Sequence, residues 1–263
     1  MRQKINAALL WLRSRFSNSN VTKLKPQEKP VKIPTKPVEE KPRPNPQEGK
    51  NLLWVPFANQ VENGMGYQGT YLNNYPRGAV VHYTAGRFKG GLRKAIDTMV
   101  GGKKNKFTFL VISEDGEVVQ GFPLNKWGWH AGKSSHPSLP GSVSDELIGI
   151  EICNAGLLEK RGSKYYSWYG LEIPEDQVRH VKKNTENQRA GYYHKYTQAQ
   201  EDALINLLLW LKRNNPKVFD LSLVLGHDEV STGRKQDPGG SLSMTMPNFR
   251  KHLVKLWMEE QHD

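Results

Sequence analysis

The sequence predicts an α/β fold: a mixed central β-sheet flanked by helices, in one domain that follows a basic N-terminal extension and linker. Apolar runs of strand length at 78–83, 107–113, 117–122, 146–153 and 221–225 alternate with segments of helical periodicity, the pattern of a sheet with helices packed on it. Thr197-Gln-Ala-Gln200 is a capping box and marks a helix start. Composition also changes near residue 50, from a Pro-, Lys- and Glu-dense stretch to a globular one.

Residues 1–20 form the first segment. Ile5, Leu9, Leu12 and Phe16 recur at helical spacing, with Lys4, Trp11, Arg13 and Arg15 around them. The segment reads either as a basic amphipathic helix on an anionic membrane or as a plain exposed helix or tail. Ala7–Leu12 is short for the apolar core of a signal peptide, and 17–20 is a poor cleavage site. Residues 21–50 repeat Lys-Pro at 25–26, 29–30, 36–37 and 41–42, which predicts an extended, polyproline-like linker. The third segment, 51–263, is the folded domain.

Within that domain, Gly78–Tyr83 reads as a buried strand, and 89–100 as a helix closed by Gly101-Gly102. Glu114-Asp115-Gly116 between two apolar runs signals a hairpin. Residues 146–153 form another strand, and 156–196, rich in Tyr, Lys and Asn, look like an insertion. The capped helix runs to about Asn214, with Leu204, Leu207, Leu208 and Leu211 on one face. A strand over 221–225, closed by Gly226, and a helix from Pro247 to Glu260 complete the domain.

A net charge of +12 over 263 residues points to an anionic partner: nucleic acid, anionic lipid or an acidic wall polymer. No nucleic-acid motif is present, and much of the excess charge lies in the tail, linker and insertion, so specific nucleic-acid binding is not expected. The single cysteine, Cys153, rules out an intramolecular disulfide and a cysteine-rich zinc module. No stretch reaches the roughly 18–20 apolar residues of a membrane span.

The chemistry gathers at strand ends. His227 follows the last apolar run directly, and Asp237 stands ten positions on, held by Pro238 and Gly239. Alone, such a pair reads as surface polar groups. His82 lies near the end of the first strand, Glu151 interrupts an apolar one, and Lys235 stands two residues before Asp237. His130, in Trp-Gly-Trp-His-Ala-Gly, reads either as a cleft residue or extra ligand, or as a loop histidine stacked between aromatics. Together they supply two imidazoles and a carboxylate, with Glu151 and Lys235 as proton or charge handlers. Three protein ligands with an open fourth position are the arrangement of a catalytic zinc. Cys153 shares a strand face with Glu151, which would aim it at the metal. The commoner role of such a cysteine is core filler.

The stretches Val80-Val-His82-Tyr-Thr-Ala-Gly, Trp129-His-Ala-Gly132, Ile148-Gly-Ile-Glu151 and Gly226-His227 to Arg234-Lys-Gln-Asp237-Pro-Gly resemble the type-2 zinc N-acetylmuramoyl-L-alanine amidases. Bacteriophage lysozymes and the peptidoglycan recognition proteins share this family. The resemblance covers about 51–260, with the motifs in family order. It implies Zn2+ on His82, His227 and Asp237, Glu151 as proton shuttle or general base, Lys235 stabilising the oxyanion, and His130 bordering the substrate cleft. Trp129, Thr84 and Asn154, beside these motifs, are further candidate substrate contacts. The expected activity is hydrolysis of the amide between N-acetylmuramic acid and L-alanine of peptidoglycan. The expected setting is a lytic, endolysin-like enzyme acting as a monomer at the bacterial wall, without an evident signal peptide. The alternative is a module that binds peptidoglycan without cutting it.

Overall fold

In the computed structural model, residues 51–61, 66–185 and 188–262 are described, so the amphipathic segment 1–20 and the linker 21–50 lie outside the described residues. Six strands form a mixed sheet in the order Asn59–Gln60, Val118–Gln120, Leu110–Ile112, Leu147–Ile152, Gly78–Tyr83 and Val224–Gly226. The last four in this order are mutually parallel, and only Leu110–Ile112 against Val118–Gln120 is antiparallel. Parallel strands are covered on both faces, so their sequences are near-continuous apolar runs rather than alternating ones. Val80 belongs to one apolar cluster and Ala79 and Val81 to the other, as strand alternation requires. The four parallel strands also end at the same edge of the sheet, the usual place for a site in such folds.

The larger cluster is closed by three helices, Gly91–Lys104, Gln198–Asn214 and Met246–Glu260, through Ala95, Met99, Leu204, Leu207, Leu208, Leu211, Phe249 and Leu253. The capping box at Thr197 is present: its hydroxyl accepts from the Gln200 amide, and the Gln200 side chain accepts from the Thr197 amide. Among the described residues no helix is long and apolar enough to cross a membrane.

Three boundaries differ from the sequence expectation. Leu221–Leu223 is a 3-10 turn, because Asp220 accepts from the Ser222 amide, and the strand begins only at Val224. The first helix begins at Gly91, after two glycines with left-handed φ (Gly90 at 123° and Gly91 at 53°), and it runs through Gly101-Gly102 to Lys104. Its end is set by Asn105, whose side-chain amide donates to Gly101 O at 2.8 Å. The predicted hairpin is present with shorter strands, and Gly116, at φ 83°, takes the left-handed turn position.

The polar stretch 156–196 is a folded unit, an antiparallel five-stranded sheet. It buries Leu158, Tyr165, Ile173 and Tyr193, and its Arg179 guanidinium donates to the carbonyls of Gly240, Ser241 and Leu242. The Tyr193 ring lies directly over Gly239 and Gly240, just past Asp237. The insertion therefore backs the loop that carries the candidate aspartate.

Candidate metal centre

Sheet pairing brings the candidate ligands together. Gly226 is in parallel register with Val81, so His227, the next residue, emerges beside His82. Asp237 returns to the same place because its carbonyl accepts from the Asp228 amide at 2.8 Å. The Arg234 guanidinium fastens the loop from outside, donating to Ala131 O and Lys133 O at 2.8 Å. His82, His227 and Asp237 are all buried, and their nearest ligand atoms lie within 4.8 Å of one another. His82 Nδ1 is 2.9 Å from His227 Nδ1, and Asp237 Oδ2 lies 3.0 and 2.9 Å from these two atoms.

The outer hydrogen bonds fix which nitrogens carry protons. His227 Nε2 donates to Ala131 O at 2.9 Å, so in the neutral ring Nδ1 presents a lone pair. His130 Nε2 donates to Leu147 O at 2.9 Å, which leaves its Nδ1 to accept from His82 Nε2 at 3.1 Å. His82 therefore also turns a bare Nδ1 inward. Two lone pairs and a carboxylate oxygen face one another with no proton among them, a repulsive set unless a cation sits at their centre. Burial, then the neighbouring His227, pulls the His82 pKa down to about 4, and burial holds His130 well below its ordinary value. Burial alone would raise the Asp237 carboxyl, but His227 and His82 hold it well below the usual carboxylate range. Neutral imidazoles and an ionised carboxylate fit a borderline transition ion such as zinc.

The sequence model of the N-acetylmuramoyl-L-alanine amidase family matches residues 72–240. The chain belongs to this family. It is an N-acetylmuramoyl-L-alanine amidase. Among solved structures, an AmpD derivative is 24% identical, over 75% of this chain and 95% of that one, at a TM-score of 0.48. AmiD from E. coli, in complex with anhydro-N-acetylmuramic acid-L-Ala-D-gamma-Glu-L-Lys, is 22% identical over 64% and 55% of the two chains, at 0.42. The amidase LysCS of Clostridium intestinale, an endolysin, is 18% identical over 78% and 97%, also at 0.42. No curated protein sequence matches significantly.

Around this centre the amidase places the other candidates unevenly. Glu151 is the register partner of His82 on the adjacent strand and is half-buried. Its charge, after burial, Asp237 and Tyr83, is among the causes holding the Tyr196 hydroxyl well above its ordinary pKa. That hydroxyl donates to His82 O at 3.1 Å. Lys235 is half-buried, and its charge is one of those that depress His82. Trp129 is 41% exposed and set edge-on against Trp127, available to a ligand. Thr84 is half-buried, its hydroxyl bonded to both backbone polar groups of Asn154 at 3.2 Å.

Asn154 differs from the exposed substrate contact that the sequence leads one to expect. It is fully buried, donating to Lys195 O and accepting from the Gly156 amide and Ser241 hydroxyl, so it joins the insertion to the main sheet. Cys153 is turned away from the cluster. Its sulfur lies 4.0 Å from the Thr98 hydroxyl, and burial pushes the thiol pKa up to about 12. His130 has both ring nitrogens engaged, so it stands behind His82 as a support.

The support depends on a glycine. A Cβ on Gly149 would meet His130 Cγ at 2.7 Å. Gly149→Ala should displace the His130 ring and free His82 from its tautomer. The loss of an outer-shell partner costs about 10–100-fold in metal affinity. Competition with a chromogenic chelator measures it, and unchanged affinity would refute the arrangement.

Acid stability follows from the same burial. His82 and His194, the latter against the Phe88 ring, are each held at about 4, below the free value near 6.5. A lowered folded pKa means that the unfolded chain binds the protons, so stability is full above about 6.5 and falls as pH drops towards 4. At pH 5 the two together cost on the order of a few kcal/mol, which lowers the melting midpoint of chelator-treated protein by roughly 10 °C. A midpoint that is flat between pH 7.5 and 5 would contradict this.

Proposed function

We propose that this amidase is a zinc-dependent peptidoglycan hydrolase that cleaves the amide between the lactyl group of N-acetylmuramic acid and L-alanine. His82, His227 and Asp237 are the ligands. The observation that carries the reading is the convergence of two inward-facing imidazole lone pairs and one carboxylate, in a chain whose family is that amidase. When bound, zinc polarises a carbonyl and lowers the pKa of a coordinated water to about 7.

The chain's own groups handle the protons and the charge. Glu151, beside His82, accepts the proton of the attacking water and returns it to the leaving L-alanine nitrogen as the C–N bond breaks. Lys235 faces the negative charge that develops on the carbonyl oxygen. The products are a free lactyl carboxylate and a stem peptide beginning with a free L-alanine amine. Trp129 offers a half-exposed ring to the substrate at the cluster's edge.

Residues 1–20 as a membrane-seeking segment, 21–50 as linker and 51–263 as the catalytic unit complete the proposal, with a lytic role supported by the net charge of +12. Digestion of purified peptidoglycan, with products weighed by mass spectrometry, tests the reading. Chelator-sensitive release of peptides beginning with L-alanine is expected. Release of sugar fragments, or no release, would overturn it. Deleting residues 1–50 should reduce killing of intact Gram-negative cells while leaving digestion of purified wall intact.

A further inference from the structure

The inserted sheet reaches back to the loop that follows His82. Trp168 donates from its indole N–H to Ala85 O, and the Tyr169 hydroxyl donates to Gly86 O at 2.9 Å. Two consecutive aromatic residues thus hold the turn at 167–171 against 84–86. Next to these bonds lies a cleft of about 390 Å³ lined by Arg87, Phe88, Lys89, Tyr169, Gly170 and Leu171. Phe88 is buried and forms its apolar floor, resting on His194 with ring centroids 4.3 Å apart.

Arg87 and Lys89 are the only ionisable side chains in the lining besides the Tyr169 phenol, and no carboxylate is among them. Both are exposed, and neither takes part in an ion pair among the described residues. Two uncompensated cations on a concave, part-apolar wall favour an anionic guest. A guanidinium suits a carboxylate in particular, because it donates two parallel hydrogen bonds. Arg87, Phe88 and Lys89 lie on the segment that leaves the end of the strand carrying His82, which puts the cleft on the path of a peptide that runs from the metal centre along that segment.

We propose that this cleft is a subsite for the carboxylate-bearing part of the stem peptide, with Arg87 and Lys89 reading the α-carboxylate of a γ-linked D-glutamate next to L-alanine. The subsite makes the enzyme selective between wall types, favouring stems with a free carboxylate over those in which it is amidated. The proposal rests on the amidase reading given above. The tether through Trp168 and Tyr169 places the insertion's turn as one wall of the subsite, which gives the folded 156–196 unit a part in substrate choice.

The test compares two substrates that differ only at that group, N-acetylmuramoyl-L-Ala-D-Glu and N-acetylmuramoyl-L-Ala-D-isoglutamine. The wild-type enzyme should favour the free carboxylate about tenfold in kcat/KM, the worth of a partly solvated charged hydrogen bond. The preference should shrink as salt is raised. In an Arg87→Gln/Lys89→Gln variant the ratio should fall to about one, with the change appearing in KM for the carboxylate substrate. Both side chains are exposed, and an unchanged melting midpoint would confirm that the variant folds. Equal rates on the two substrates by the wild type, or a preference that survives the double substitution, overturns the subsite. Cleavage of neither substrate by the wild type overturns the amidase reading itself, and the subsite with it.

Discussion

His227→Ala is expected to abolish stoichiometric zinc binding and to lower turnover on peptidoglycan by about 10³-fold or more, since the metal supplies several kcal/mol of transition-state stabilisation. The substitution removes one of two inward lone pairs and leaves Ala131 O with the Arg234 guanidinium as its remaining side-chain donor. A site with one imidazole and one carboxylate falls short of the three protein ligands that a catalytic zinc needs. His180 is the control: an exposed histidine stacked on Tyr192 in the inserted sheet, whose replacement by alanine should leave zinc content unchanged. Metal analysis after exhaustive dialysis, beside a peptide-release assay, reads both effects. A His227→Ala protein that keeps one zinc and near-normal turnover would remove the metal centre from the account.

Glu151→Gln should separate chemistry from metal binding. Glutamine keeps the shape of the side chain in the strand beside His82 but cannot accept and return a proton. General acid–base catalysis contributes roughly 10²–10⁴-fold, so kcat should fall by about that factor while zinc content and KM change little. A loss of zinc in this variant would place Glu151 among the ligands. Unchanged kcat would take it out of the reaction.

Much of the candidate site was legible because the candidate ligands stand where the sheet ends. Gly78–Tyr83 and Leu147–Ile152 are parallel strands covered on both faces, so their apolar runs stood out and their bounds matched closely. His82, Glu151 and His227 could be read as polar exceptions at or after such runs, and parallel register explains why they meet. The 3-10 turn at Leu221–Leu223 was hidden, because its three residues suit a strand and only Asp220 decides otherwise. The inserted sheet was hidden for a different reason. Its strands are two to five residues long, and Lys, Arg and Tyr side chains occupy much of the exposed surface, so no period-two apolar pattern emerges.

The supports of the centre were the least legible part. His130 was visible as a candidate, but its role behind His82 follows from the space left by Gly149 and the position of Leu147 O, both on a strand that is distant in sequence. Arg234 lies in the sequence motif before Asp237, but only the fold brings Ala131 and Lys133 within its reach. In sequence, Asn154 looks like a cleft residue because it is polar and just past Glu151, whereas in the fold it satisfies backbone groups inside the protein.

X-ray absorption at the zinc edge on metal-loaded protein tests the central claim most directly, because it reads ligand type without relying on turnover. The account predicts one zinc per chain, a first shell of nitrogen and oxygen at about 2.0–2.2 Å, and the outer scattering of two imidazole rings. A sulfur shell near 2.3 Å would instead draw in Cys153, and a protein that retains no zinc would contradict the centre built on His82, His227 and Asp237.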